Sequence, residues 1–196
     1  MEKINFIKTF IPQGDFREKY EHGGMMVRHL AAVLDEKMGA YECYECTVPI
    51  GEYDEGEIQK AFAEFSAKMD ALKLKQAKAD KIAEITAYDT SSSVNGFMLN
   101  GLLVWLDKAT RVGLMNSTTI AKAAGQKTTT LWLGGIKLVV DCDKAIQLLS
   151  ALEMYALECF NVTASHKQAV SELTTIEEVE AYNYKAGYPK MLEMNV

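Results

Sequence analysis

Cys43 and Cys46 stand in the run Cys-Tyr-Glu-Cys, a spacing used by zinc knuckles and by redox dithiols. Three features argue against both chemistries. The run 40–48 reads as a strand, in which side chains three apart point to opposite faces, so the thiols diverge. No second Cys or His pair follows at zinc-finger spacing, and a redox pair is expected to open a helix. Neither a metal nor a cofactor is therefore expected. Cys142 and Cys159 fall in or beside a helical pattern and read as small buried hydrophobes.

The three histidines offer little more. His22 and His29 have Asp15, Arg17, Glu18 and Arg28 near in sequence. Catalysis would need a nucleophile and a base held in contact, which nothing in this stretch fixes, so they read as loop and strand residues. His166 lies on a helical stripe and reads as a packing or boundary residue. The acidic pairs Asp141/Asp143 and Glu177/Glu178 sit where helices begin, facing the positive end of the dipole. A Gly-rich phosphate loop, a Gly-x-Ser-x-Gly elbow and a His-Glu-x-x-His run are all absent, and the expectation is a protein without catalytic residues.

Charge and length narrow the class. With 21 basic and 27 acidic residues the net charge is -6, which argues against a nucleic-acid partner. The basic run from Lys73 to Lys81 reads as a solvated helix face. No apolar run approaches the ~18 residues of a membrane span. The start Met-Glu-Lys-Ile-Asn-Phe lacks the basic-then-apolar layout of a signal peptide, so the expected location is the cytoplasm in which the chain is made. With 48% hydrophobic residues in 196, a real core can form.

One stretch organises the chain. From 57 to 88, Ile58, Phe62, Phe65, Met69, Leu72, Gln76, Ala79 and Ala83 recur in steps of four and three, with mostly charged residues between, which predicts one long helix bearing a seam. Ile58, Phe62, Phe65, Met69, Leu72 and Gln76 are the candidate interaction residues. The seam serves either copies of this chain, in a dimer or trimer with Gln76 setting register, or the core of one chain. The expected division is an N-terminal β-meander over 1–55, the helix 56–88 and a C-terminal domain over 89–196.

Before the helix, 4–11, 25–34 and 40–48 read as strands of a small antiparallel meander. The segment 16–21 reads as a short turn or helix, 35–39 as a turn, and Pro49, Gly51 and Gly56 as a linker. After it, 89–93 is a polar break. Asn100-Gly101 between apolar runs predicts a hairpin of 97–99 with 102–106. Asp107 is placed to cap a helix from Lys108 to about Ala124, ended by Gly125, and Gly113 within it hints at close packing. Gly134-Gly135 turns a second hairpin, 128–133 with 136–140. A core helix follows with Ile146, Leu149, Leu152, Ala156, Cys159, Thr163, His166 and Val170 on one stripe, and Thr175 to Glu178 has the layout of a capping box for a short last helix. The expected fold is α+β: an N-terminal β-meander, a long helix, and a C-terminal sheet of about four strands from two hairpins, packed with two or three helices.

The run Ile85-Thr-Ala-Tyr-Asp-Thr-Ser91, then Val94-Asn-Gly-Phe97, Trp105-Leu-Asp-Lys-Ala-Thr-Arg111, Thr130-Leu-Trp-Leu133 and Tyr182 to Pro189, resembles a phage and prophage domain family of unknown function. Members of that family sit among tail and tail-fibre genes, and some resemble tail-fibre assembly proteins. The resemblance implies a non-enzymatic protein of the tail module whose partner is a tail or tail-fibre protein, made in the host cytoplasm and a candidate for the virion tail. A small accessory protein that binds and inhibits a host factor is the alternative.

Overall fold

The computed structural model describes residues 4, 6–11, 19–21, 24–35, 37–49 and 54–196. His22, with Asp15, Phe16, Arg17, Glu18 and Gly51, lies outside the described residues. The fold is α+β, and the chain divides into two compact units, Met1–Lys73 and Leu74–Val196.

In the first unit, β1 (Ile7–Ile11), β2 (Lys19–Glu21), β3 (Gly24–Asp35) and β4 (Ala40–Pro49) form one antiparallel sheet in the order β1-β4-β3-β2. Residues 19–21 are thus a strand rather than a turn or helix. Tyr20 pairs with Met25 across β2 and β3, and three residues are too few to carry a periodic signal. The long helix α1 spans Glu55–Asp89. It starts earlier than expected because Asp54 and Glu57 form a reciprocal cap. Glu57 N donates to Asp54 Oδ1 at 2.8 Å and Asp54 N to Glu57 Oε2 at 3.0 Å, which draws Gly56 into the helix.

On β4, Tyr44, Cys46 and Val48 alternate toward one face and pack with Phe6 and with Ile58, Ala61, Phe62, Phe65 and Met69 of α1. The rings of Phe6 and Tyr44 lie 5.3 and 5.0 Å from that of Phe65, and Phe6 lies 5.4 Å from Phe62. Edge contacts of this kind add to area burial.

The second unit holds the rest of α1, α2 (Ser92–Asn95), β5 (Gly96–Leu99), β6 (Leu102–Trp105), α3 (Lys108–Ala123), β7 (Thr128–Leu133), β8 (Ile136–Asp141), α4 (Cys142–Glu172), α5 (Ile176–Ala181) and β9 (Leu192–Met194). The polar break is in part helical, since Ser91 caps α2 by accepting from Ser93 N. Both hairpins form, but not as one four-stranded sheet. The free edge of β5 is taken by β9, which runs parallel to it and gives the order β6-β5-β9. Strands β7 and β8 stand as a separate pair. Asn100 fixes that arrangement by donating its N–H to Met194 O and accepting from Val196 N on Oδ1, both at 2.9 Å.

The capping residues act as their types dictate. Asp107 accepts from Thr110 N and opens α3, Asp141 accepts from Asp143 N and Lys144 N to open α4, and Thr175 with Glu178 closes a full capping box on α5. At the end of α3, Gln126 N bonds Ala121 O and Gly125 N bonds Lys122 O, a Schellman closure that needs the positive φ of Gly125. Gly113 corrects the expectation of close packing: a Cβ there would meet nothing within 4 Å. Gly113→Ala should therefore raise the denaturant midpoint, by about 1 kcal/mol of stability, through helix propensity alone.

The core of this unit gathers Val94, Phe97, Leu99, Val104, Leu131, Leu133, Val140, Leu149, Leu152 and Met194 between the two sheets and α4. Ile85 of α1 packs separately with Val170 of α4 and Val179 of α5. Here the basic run is more than a solvated face. Lys78 Nζ donates to Ser171 O at 2.7 Å and Lys81 Nζ to Glu180 O at 3.4 Å. Neither α4 nor α5 has a basic residue in its own last turn, and these lysines supply cations to those carbonyl ends.

One buried group lacks its partner. Thr118 on α3 is fully buried, and its Oγ1 is the one enclosed side-chain polar atom without a hydrogen bond among the described residues. Thr118→Val keeps the shape and removes the hydroxyl, so urea titration should show a gain of about 1–2 kcal/mol at unchanged slope.

Candidate functional site

Of the seam residues, Ile58 is buried, and Phe62, Phe65 and Met69 are half-buried against the sheet of the first unit. Leu72 is exposed, as is Gln76, whose Nε2 donates to Asp80 Oδ1 within the same helix at 2.8 Å. Ala79 and Ala83 are exposed too, so the expected single stripe does not continue. From Leu74 onward Leu74, Ala77, Ile82 and Ile85 are the packed residues instead.

Cys43 and Cys46 are buried and in no disulfide. Cys46 joins the core against α1, whereas Cys43 is not among that cluster. Arg28 and His29 lie in β3 opposite Glu45 and Tyr44 of β4. Among the described residues no group of three His, Cys, Asp or Glu is placed to hold a metal ion. No helix among them is long and apolar enough to cross a membrane.

The second unit carries a cleft of about 430 Å³ that no spacing in the sequence announces. One wall comes from the end of α1 and from α2, with Asp89, Thr90 and Asn95. A second comes from the end of β6 and the start of α3, with Trp105, Leu106, Asp107, Lys108 and Arg111. The third is α4, with Glu153, Ala156, Leu157 and Phe160. Trp105, Leu157 and Phe160 are 40%, 50% and 60% exposed, so the apolar part of the cleft is open.

Most of its charged groups are already engaged. Arg111 is only 8% exposed; its Nε donates to Glu153 Oε1 and its Nη1 to Leu106 O, each at 2.8 Å. Asp107 accepts from Thr110 N and from Thr110 Oγ1, and these bonds hold its carboxyl below the usual carboxylate range. The cap is therefore charged at neutral pH. Its contribution is present above the unfolded pKa and is lost as the pH falls through the lowered value.

Behind the α1 and α2 wall lies a polar lattice. Thr163 Oγ1 on α4 donates to Asp89 Oδ1 at 2.7 Å and so must accept from Tyr188 OH at 2.9 Å. Asn95 Nδ2 donates to Asp89 O at 2.6 Å. Tyr155 OH and Cys159 Sγ both donate to Val94 O, at 2.7 and 3.3 Å. Burial raises the pKa of Tyr155 and of Cys159, so both stay protonated and neither is a nucleophile at neutral pH. His166 proves to be a clasp. Its Nε2 faces Ala186 O at 2.9 Å and must carry a proton, which in the neutral ring leaves Nδ1 to accept from Tyr182 OH at 2.9 Å.

Part of the sequence that carries the family resemblance converges in space, while the run 130–133 lies outside the cleft lining. Asp89, Asn95, Trp105, Asp107 and Arg111 line the cleft, and Tyr188 is tied to Asp89 through Thr163. The model of a family described as a domain of unknown function (DUF4376) matches residues 76–186, which includes every residue lining the cleft. No curated protein matches the chain, and no solved structure does.

Proposed function

The chain belongs to the family described as a domain of unknown function (DUF4376), and we propose that it is a non-enzymatic protein of a phage or prophage tail or tail-fibre module, acting in assembly or attachment through protein–protein contacts. What supports the binding aspect of this reading is the cleft of the second unit. Exposed Trp105, Leu157 and Phe160 form its apolar surface, while Arg111 and Asp107 are committed to holding its walls. Aromatic and Arg side chains in a concave, partly apolar patch are what binding hot spots are made of. The tail-module aspect rests on the sequence blocks that carry the family resemblance.

On this reading the partner is a tail or tail-fibre protein, and the chain is made in the host cytoplasm and carried into, or left behind by, the assembling tail. The exposed residues Leu72 and Gln76 of α1 are the portion of the seam open to a second copy in a dimer or trimer. The test is recovery of the tagged chain from a lysate producing particles. Co-purification with a tail-fibre protein or with virions is expected. Recovery on a host protein, together with normal particle yield when the gene is deleted, would replace the reading with that of a host-factor inhibitor.

A further inference from the structure

Three features of the cleft specify what it takes. First, the guanidinium of Arg111 is not fully used. Nε and Nη1 have partners, and Nη2 has none among the described residues. Arg111 lines the cleft, and the unpartnered Nη2 is the part of its guanidinium that remains available there. A donor on a side chain more than nine-tenths buried is thus left for an acceptor oxygen in the cleft.

Second, Asn95 lines the same cleft and commits its Nδ2 to Asp89 O, which leaves Oδ1 as an acceptor without a partner among the described residues. Third, the lining carries three carboxylates (Asp89, Asp107, Glu153) against two cations (Lys108, Arg111), with the charge of Arg111 already met by Glu153 at 2.8 Å. An added carboxylate would worsen that balance. A basic side chain would compete with Arg111 for Glu153. A neutral group with one acceptor and one donor suits it.

A peptide unit is such a group: one C=O, one N–H, no charge, and apolar side chains spaced about 3.3 Å per residue along an extended chain. We infer that the cleft docks a short, uncharged apolar segment of a partner protein. A backbone carbonyl of the segment accepts from Arg111 Nη2 and a backbone N–H donates to Asn95 Oδ1. An aromatic or branched apolar side chain lies on Trp105, Leu157 and Phe160. The inference rests on the protein-binding reading above and names the chemistry of the partner at that site. The volume of about 430 Å³ lies within the range of specific binding clefts.

A random peptide display library selected on the full chain supplies the probe. A synthetic copy of the enriched peptide is then titrated into ¹⁵N-labelled protein, reading the two tryptophan indole N–H signals. The expected consensus is apolar and free of charged residues. The Trp105 signal should move and saturate, while that of Trp132, exposed on β7 away from the cleft lining, should stay still. Phe160→Asp, at an exposed position, should weaken binding at least tenfold. Arg111→Lys, which keeps the charge but loses Nη2, should weaken it about tenfold. If Arg111→Lys fails to fold, the wild-type titration and Phe160→Asp still decide.

Peptides that bind without moving Trp105 would overturn the inference and leave the protein-binding reading standing. So would a consensus dominated by acidic or basic residues. Failure to enrich any peptide would also overturn it, while recovery of the chain with a tail-fibre protein would then show that the wider reading holds through another surface.

Discussion

Replacing Phe65 and Met69 together by glutamate is expected to unfold the first unit while leaving the second folded. Phe65 of α1 packs with the rings of both Phe6, at 5.3 Å, and Tyr44 of β4, at 5.0 Å. Met69 packs one turn further along. The change removes two apolar side chains, worth at most about 1.5–3 kcal/mol each at full burial, and it sets two carboxylates against an apolar face. Discounted for their partial exposure, the sum is still about 3–5 kcal/mol, comparable to what a unit as small as Met1–Lys73 has to lose. Hydrogen exchange would show it directly. Amides of β4 should exchange at unfolded rates, while those of α4 keep their protection. Light scattering on the same sample separates the two uses of the seam. A fall in mass with β4 protection intact would assign these residues to contacts between chains rather than to this core.

The same helix shows what a sequence pattern can and cannot carry. Ile58, Phe62, Phe65 and Met69 were legible as a stripe because they pack on one surface in one register. Past Met69 the stripe predicts Leu72, Gln76, Ala79 and Ala83, all of which are exposed, because from Leu74 the helix packs with Val170, Val179, Leu173 and Tyr182 instead. A periodicity cannot announce a change of partner. Local chemistry reads more faithfully. The caps at Asp107, at Asp141 or Asp143, and at Thr175 each involve residues two or three apart, and all three form, the second through Asp141. Strands β2 and β9, of three residues each, leave no period to detect, and without β9 the two hairpins read as one sheet.

The cleft has no local signature in the sequence. Arg111 and Glu153 are 42 positions apart, on two different helices. Only the packing of α3 against α4 brings them together. What the sequence did hold was the identity of the blocks around Asp89, Asn95, Trp105 and Tyr188. Three of these residues are joined once Thr163 links Asp89 to Tyr188 and Asn95 anchors to Asp89 O.

Phe97→Ala should cost the second unit about 3–5 kcal/mol, the largest loss expected from a single residue there. Phe97 is fully buried on β5, the middle strand of its sheet, opposite Val104 of β6 and Leu192 of β9. Strand β5 is bonded on both edges, and Tyr155 and Cys159 tie the preceding turn to α4 through Val94 O. The walls around the ring cannot close on the space left behind, and a rigid site incurs the cavity cost on top of the lost transfer energy. Leu102→Ala on the adjoining strand removes a side chain that is 59% exposed and should cost under about 1 kcal/mol. Urea denaturation of the two variants, followed by the fluorescence of Trp105 and Trp132, measures both losses. A Phe97→Ala midpoint close to that of Leu102→Ala would mean that the β6-β5-β9 sheet relaxes into the gap. The walls of the cleft, which hang from β6 at Trp105, would then be softer than a preformed docking site requires.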